Sequence, residues 1–241
     1  MPRAVVFDLD QTLIRAEAFD WRLWLGTISD SLGVPIPEDL DWGAFPVHTD
    51  HGLIGDLSMR LRGRTFGQDE RAAFEALLLE RLDAALLADP QVFRPIEGAA
   101  AVLAALAGRV ALATGNIHSV TGRKLRSAGL DAAVLPCSCS AEGLDRPGLV
   151  ARGLKKIGWR PGDPATSLGD GVWDVRAARA LGVGFVGVAQ SDAHEARLRA
   201  SGAMAVLRDY ADLDAALELI EHAPPPGPEA ATTWHTPREE G

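Results

Sequence analysis

Short apolar runs and helix-compatible stretches alternate along most of this chain. The runs are Ala4–Phe7, Val110–Ala113, Ala133–Leu135, Thr166–Leu168, Phe185–Val188 and Ala205–Leu207. Between and after them, helical spacing recurs over Glu97–Ala107, Val120–Ala128, Pro147–Ile157, Asp174–Leu181, Ala193–Ala200 and Asp212–Ile220. Such alternation predicts βαβ units and an α/β fold, a doubly wound parallel sheet covered by helices on both faces. Continuous apolar runs such as VALA and FVGV are what strands buried on both sides require.

One region breaks the rhythm. From about Arg15 to Phe93 the pattern offers no convincing strand. Phe19–Leu32 carries Trp21, Trp24 and Leu25 at helical spacing. Asp50–Leu61 forms a second helical stretch, and Glu70–Leu87 is a strongly amphipathic third. Gly33–Val47 is rich in Pro and Gly and reads as a loop. The expected organisation is therefore a core of residues 1–14 and 94–221, an inserted helical cap of residues 15–93, and a flexible Pro-rich tail, 222–241. Arg94-Pro95 stands where a hinge between cap and core would be needed. Trp234 is the one aromatic residue of the tail and a possible short interaction motif.

Charge narrows the partners. A net charge of −9 over 241 residues argues against a nucleic-acid or anionic-membrane binder, since both need a basic surface. It leaves room for a small phosphorylated metabolite held by a locally positive pocket. No apolar stretch is long enough to span a bilayer, and the N-terminus lacks the form of a signal peptide, so a cytoplasmic monomer or homodimer is expected. Only two cysteines occur, Cys137 and Cys139, too few for a structural zinc site, and free thiols are expected.

Ligands of open parallel sheets bind at the carboxyl ends of the strands. Four chemical stretches follow predicted strands there: Asp8-Leu9-Asp10, Thr114-Gly115-Asn116, Arg146-Pro147 and Gly169-Asp170-Gly171-Val172-Trp173-Asp174. Asp8, Asp10, Asp170 and Asp174 make an acidic cluster that needs a cation, and oxygen-only ligands suit Mg²⁺. The Thr114 hydroxyl and the N–H groups of Gly115 and Asn116, near a helix start, can cradle an anion. Arg146 adds forked donors suited to phosphate. Together these groups describe phosphoryl transfer.

DLDQT, ATGN, the DRP stretch and GDGVWD resemble, in order and spacing, the four motifs of the haloacid dehalogenase (HAD) superfamily. The helical insertion is similar to its small α-helical cap. The likeness covers about residues 4–210 and lies nearest the phosphoglycolate-phosphatase-like branch. It implies a Mg²⁺-dependent phosphatase acting through an aspartyl-phosphate. Asp8 is then the nucleophile and Asp10 the acid and base, while Thr114 binds the phosphoryl oxygens. The metal is held by Asp8, the Asp10 carbonyl and Asp170, with support from Asp174. Two departures stand out. Gln11 replaces a usual glycine, and Arg146 occupies the usual lysine position, with Lys124, Lys155 and Lys156 as alternatives. A phosphomutase, a dehalogenase and a non-catalytic phosphometabolite sensor or partner-binding protein are the rival readings. Other residues have plainer expectations. Thr49 or Asp50, between His48 and His51, caps a cap helix. Trp21 and Trp24 form cap core, and Trp173 packs beneath its loop.

Overall fold

The computed structural model describes residues 2–15, 18–42, 45, 47–130, 135–140 and 145–229. In chain order its elements begin with β1 (Ala4–Phe7), β2 (Ile14–Arg15), α1 (Ala18–Leu32), α2 (Asp50–Arg62), α3 (Gln68–Ala88), β3 (Arg94–Pro95), α4 (Ala99–Ala105), β4 (Val110–Ala113) and α5 (His118–Ser127). They continue with β5 (Cys137–Ser138), α6 (Arg146–Lys156), β6 (Ala165–Gly169), α7 (Val172–Leu181), β7 (Gly184–Val188), α8 (Asp192–Ala200), β8 (Ala205–Leu207) and α9 (Leu213–His222). Six strands make one parallel sheet in the order β5-β4-β1-β6-β7-β8, so the expected α/β class holds. β1 lies at the centre, with Val6 in register with Ala111 on one side and Ser167 on the other.

Strand periodicity divides the apolar residues between two faces. Val5, Phe7, Val110 and Leu112 join one core, while Val6, Ala111 and Ala113 join another beneath α6 and α7. The first core runs on into the helical insertion, through Trp24, Ile28 and Leu32 of α1 and Phe74, Leu78 and Leu82 of α3. These residues recur every four positions, which puts them on one helical face. Thr49 caps α2 by accepting the Gly52 N–H at 3.2 Å, as expected of the HTDH stretch.

Three details differ from the sequence reading. The expected strand Ala133–Leu135 falls largely outside the described residues, and the strand described there is β5, where Cys137 pairs with Leu112. The borders of the insertion are tied by an antiparallel ribbon of β2 and β3, with Ile14 opposite Pro95 and Arg15 opposite Arg94. Two-residue strands carry no alternation to detect, so Arg94-Pro95 reads from sequence only as a junction. The expected flexible tail begins as packed chain. Pro224 O accepts the Phe185 N–H at 3.1 Å, Gly227 O accepts from Arg179 Nε at 2.9 Å, and Glu229 pairs with Arg176. Trp234 lies outside the described residues.

Tyr210 fastens the loop after β1 to this scaffold. Its ring meets Phe7 edge-on at 6.0 Å, and its buried hydroxyl donates to Thr12 O at 2.8 Å. Tyr210→Phe leaves that carbonyl without this donor, and a loss of about 1–2 kcal/mol in unfolding free energy is expected by denaturant titration.

Candidate active site

The loops that leave β1, β4 and β6, together with the start of α6, meet at the carboxyl edge of the sheet. The Asp8 N–H extends the ladder by donating to Leu168 O at 2.9 Å, which fixes the residue just beyond the strand. The chain then turns sharply. Gln11 has φ +57°, the left-handed region that glycine enters freely and other residues enter at a cost of about 1–2 kcal/mol. The departure from glycine in DLDQT thus leaves the turn in place.

Arg146 opens α6, with Asp145 capping the helix through the Gly148 N–H. The buried guanidinium bridges two carboxylates, Nη2 to Asp8 Oδ1 and Nε to Asp174 Oδ1, both at 2.5 Å. Among the candidate cations, Arg146 is therefore the partner of Asp8. Lys155 and Lys156 sit in the last turn of α6, about 14 Å along the axis from Arg146. Lys124 serves elsewhere. Its buried ammonium reaches Asp10 at 3.0 Å and Asp20 of α1 at 2.6 Å.

Carboxylate oxygens of Asp8, Asp170 and Asp174 lie within 4.8 Å of one another. Burial pushes the Asp8 carboxyl up to about 7; the Asp174 and Asp10 charges add to the effect, and Arg146 opposes it. Burial, with Asp8 and Asp174 beside it, holds Asp170 well above the usual range. No ion pair reaches the Asp170 carboxylate among the described residues. One guanidinium cannot neutralise three carboxylates, two buried and one half-buried, and an all-oxygen donor set fits a hard divalent cation. Asp174 also closes its own helix, since Oδ2 accepts the Gly171 N–H at 3.0 Å. The helix-cap reading and the cluster reading of Asp174 therefore both hold.

The expected four-carboxylate cluster is corrected at Asp10. That side chain turns instead to Lys124 and to Asn116, whose amide donates to it at 2.5 Å. The anion cradle changes too. Asn116 N–H is bonded to Thr114 Oγ1 at 3.2 Å, and α5 starts only at His118. The N–H at its cap, from Ile117, is already taken by Asp50 Oδ2 at 2.9 Å. A carboxylate from the insertion thus fills the anion seat at that helix start. Thr114, Gly115 and Asn116 of the expected cradle all line the cavity, and the Asn116 side chain bridges Thr114 and Asp10.

Asp50 joins insertion and core at several points. Its Oδ1 accepts from Trp24 Nε1 at 2.9 Å, and its N–H donates to Gly115 O at 2.9 Å. A Cβ at Gly115 would lie 2.5 Å from His48 O, so only glycine permits this approach. Asp20, Trp42 and the Asp50 contacts escaped the sequence reading, because their partners lie far away in the chain. His194, whose ring meets Asp170 O at 2.7 Å, escaped it for the same reason.

The cavity at this edge has a volume of about 400 Å³. Asp8, Asp10, Thr114, Arg146 and Asp170 line its sheet end, and residues of the insertion together with Val172, Trp173 and Arg176 line the rest. The haloacid dehalogenase-like hydrolase family matches residues 2–182.

The chain belongs to that family of hydrolases. Solved structures share the fold at low identity. A hydrolase from Pseudomonas syringae is 21% identical, with TM-score 0.68, covering 90% of this chain and 99% of its own. A predicted phosphoglycolate phosphatase from Haemophilus somnus is 18% identical, with TM-score 0.59 and coverage of 89% and 97%. CbbY from Rhodobacter sphaeroides, in complex with xylulose-(1,5)bisphosphate, is 20% identical, with TM-score 0.65 and coverage of 88% and 96%. No curated protein matches the chain. No helix among the described residues is long and apolar enough to cross a membrane, and Cys137 and Cys139 form no disulfide.

Asp50 gives this HAD-like hydrolase a measurable pH signature. Burial raises its carboxyl from 3.8 to about 7, against the lowering effects of Lys124 and the Ile117 N–H. The folded state then holds this proton more tightly than the unfolded chain does. The resulting stability is complete below about 4 and is lost as pH rises through about 7, an effect on the order of a few kcal/mol. Asp50→Asn cannot ionise. Unfolding titrations between pH 4 and 8 are expected to show a shallower decline in this variant than in the parent.

Proposed function

We propose that this hydrolase cleaves small phosphate monoesters through a phosphorylated Asp8, with Mg²⁺ as cofactor. The observation that carries the proposal is the position of Asp8: just past the central strand, paired with Arg146, and inside a carboxylate cluster open to the cavity.

Arg146 holds Asp8 Oδ1, which leaves Oδ2, touched only loosely by the Thr12 hydroxyl at 3.4 Å, to attack phosphorus. The Thr114 hydroxyl and the Gly115 N–H bind phosphoryl oxygens, and Arg146 offsets their charge. Asp10 gives a proton to the departing alkoxide and then takes one from the water that cleaves the aspartyl-phosphate. Such help is worth about 10²–10⁴ in rate. Lys124 and Asn116 orient the Asp10 side chain at the edge of the cavity. Asp8, the Asp10 carbonyl and Asp170 would hold Mg²⁺, with Asp174 in support. The ion would supply positive charge that lets Asp8 ionise and draws charge from the phosphoryl group. The insertion keeps bulk water from the reacting atoms. A phosphomutase would share all these groups and differ in returning the phosphoryl group to a second hydroxyl.

A panel of metabolite esters, assayed for free phosphate, tests this reading. Release is expected only with Mg²⁺ and is expected to stop with a chelator. Asp8→Asn is expected to lower it more than about 10³-fold while thermal unfolding stays cooperative. Near-normal turnover by that variant would remove Asp8 from the role of nucleophile. Transfer to a second sugar hydroxyl without phosphate release would identify a mutase.

Replacing Asp170 probes the metal separately. Asp170→Asn is expected to raise the Mg²⁺ concentration for half-maximal rate by about tenfold or more, with KM for the ester changed far less. An unchanged Mg²⁺ requirement would exclude Asp170 as a ligand.

A further inference from the structure

Four of the six tryptophans in the chain line this cavity. Trp21 and Trp24 of α1 stack at 5.3 Å, and Trp42 meets Trp21 edge-on at 4.7 Å and Trp24 at 6.0 Å. Trp173, from the loop that carries Asp170 and Asp174, stacks on His48 at 4.7 Å with an interplanar angle of 17°. Trp21 and Trp24 were expected as cap core. Trp24 does belong to the core, at 8% exposure, but Trp21 remains 43% exposed. Burying such a ring inside the insertion would have been ordinary; leaving it open beside a reaction site calls for an explanation.

Polar groups along the same wall are already engaged. Both Asp50 oxygens accept protein N–H groups, Asp20 is held by Lys124, and Arg176 pairs with Glu229. Away from the phosphate end, the cavity therefore presents mainly ring surface. Trp173 is placed by its neighbour, since a Cβ on Gly171 would lie 2.1 Å from the indole. Burial lowers the His48 pKa, so its ring stacks as a neutral imidazole near pH 7. A volume of about 400 Å³ accommodates a phosphate with one ring system attached.

We infer that the substrates are phosphate monoesters of alcohols that carry a planar aromatic ring, which is gripped by the walls of Trp21, Trp42 and the His48–Trp173 pair. The inference rests on the phosphatase reading and specifies its leaving group. Flat π faces bind one another through offset and edge-on contacts that a saturated ring makes less well. Sugar hydroxyls would need free donors and acceptors on the same walls.

The test compares benzyl phosphate with cyclohexylmethyl phosphate, two esters of similar size whose alcohols have similar acidity, and with a hexose phosphate. With Mg²⁺ present, kcat/KM for benzyl phosphate is expected to exceed the other two by about tenfold or more. Trp21→Leu and Trp42→Leu keep apolar bulk but remove the ring, and each is expected to shrink that ratio severalfold. Equal values for benzyl and cyclohexylmethyl esters, faster hexose phosphate turnover, or ratios unmoved by both variants would overturn the inference and leave the phosphatase intact. If no ester is hydrolysed, tryptophan quenching by benzylphosphonate decides. Tighter binding than cyclohexylmethylphosphonate sustains the aromatic site and removes the hydrolase reading; equal binding removes both.

Discussion

Three carboxylates and one guanidinium share a buried space at the carboxyl edge of the sheet. Arg146 satisfies Asp8 and Asp174 at once, and Asp170 stands beside them without a cation of its own among the described residues. Each carboxylate makes the others harder to ionise, as the upward shifts of Asp8 and Asp170 record. A fold gains no stability from such crowding, since apolar residues would pack there at lower electrostatic cost. The arrangement makes sense as a receptor for positive charge, which is what the proposed role of Asp8 requires.

The fold supplies the crowding without distorting its strands. Parallel order brings the ends of β1, β4 and β6 to one edge, and α6 starts there with Arg146 in its first turn. The insertion leaves and re-enters beside Asp8, tied by the ribbon of β2 and β3. It can thus reach over the same edge. Asp20 and Asp50 carry its contacts to Lys124 and to the start of α5, so the insertion is tied to the loops at the sheet edge.

The sequence revealed what short segments encode. Asp8 and Thr114 follow continuous apolar strands, and Asp170 follows the buried strand Ala165–Gly169, so their place on the sheet edge could be read residue by residue. Arg146 was legible because Pro147 marks a helix opening. Contacts made across the chain were not legible. Lys124 and Asp20 lie 104 residues apart, and Asp50 and Ile117 lie 67 apart; no local pattern joins either pair. The engagement of the helix start beside the expected anion cradle was hidden for the same reason. A helix start ordinarily offers free N–H groups, and only the tertiary structure shows that Asp50 already occupies this one. Trp21 at helical spacing looked like core because periodicity reports a face and not what lies beyond it.

The central claim is that Asp8 accepts phosphorus within a metal-neutralised cluster. A crystal structure grown with Mg²⁺ and beryllofluoride tests it most directly. The account predicts a tetrahedral adduct bonded to an Asp8 carboxylate oxygen, fluorines facing Arg146 and Thr114, and an ion contacting Asp8 and Asp170. An ion-free cluster, or an adduct on any other side chain, would contradict it.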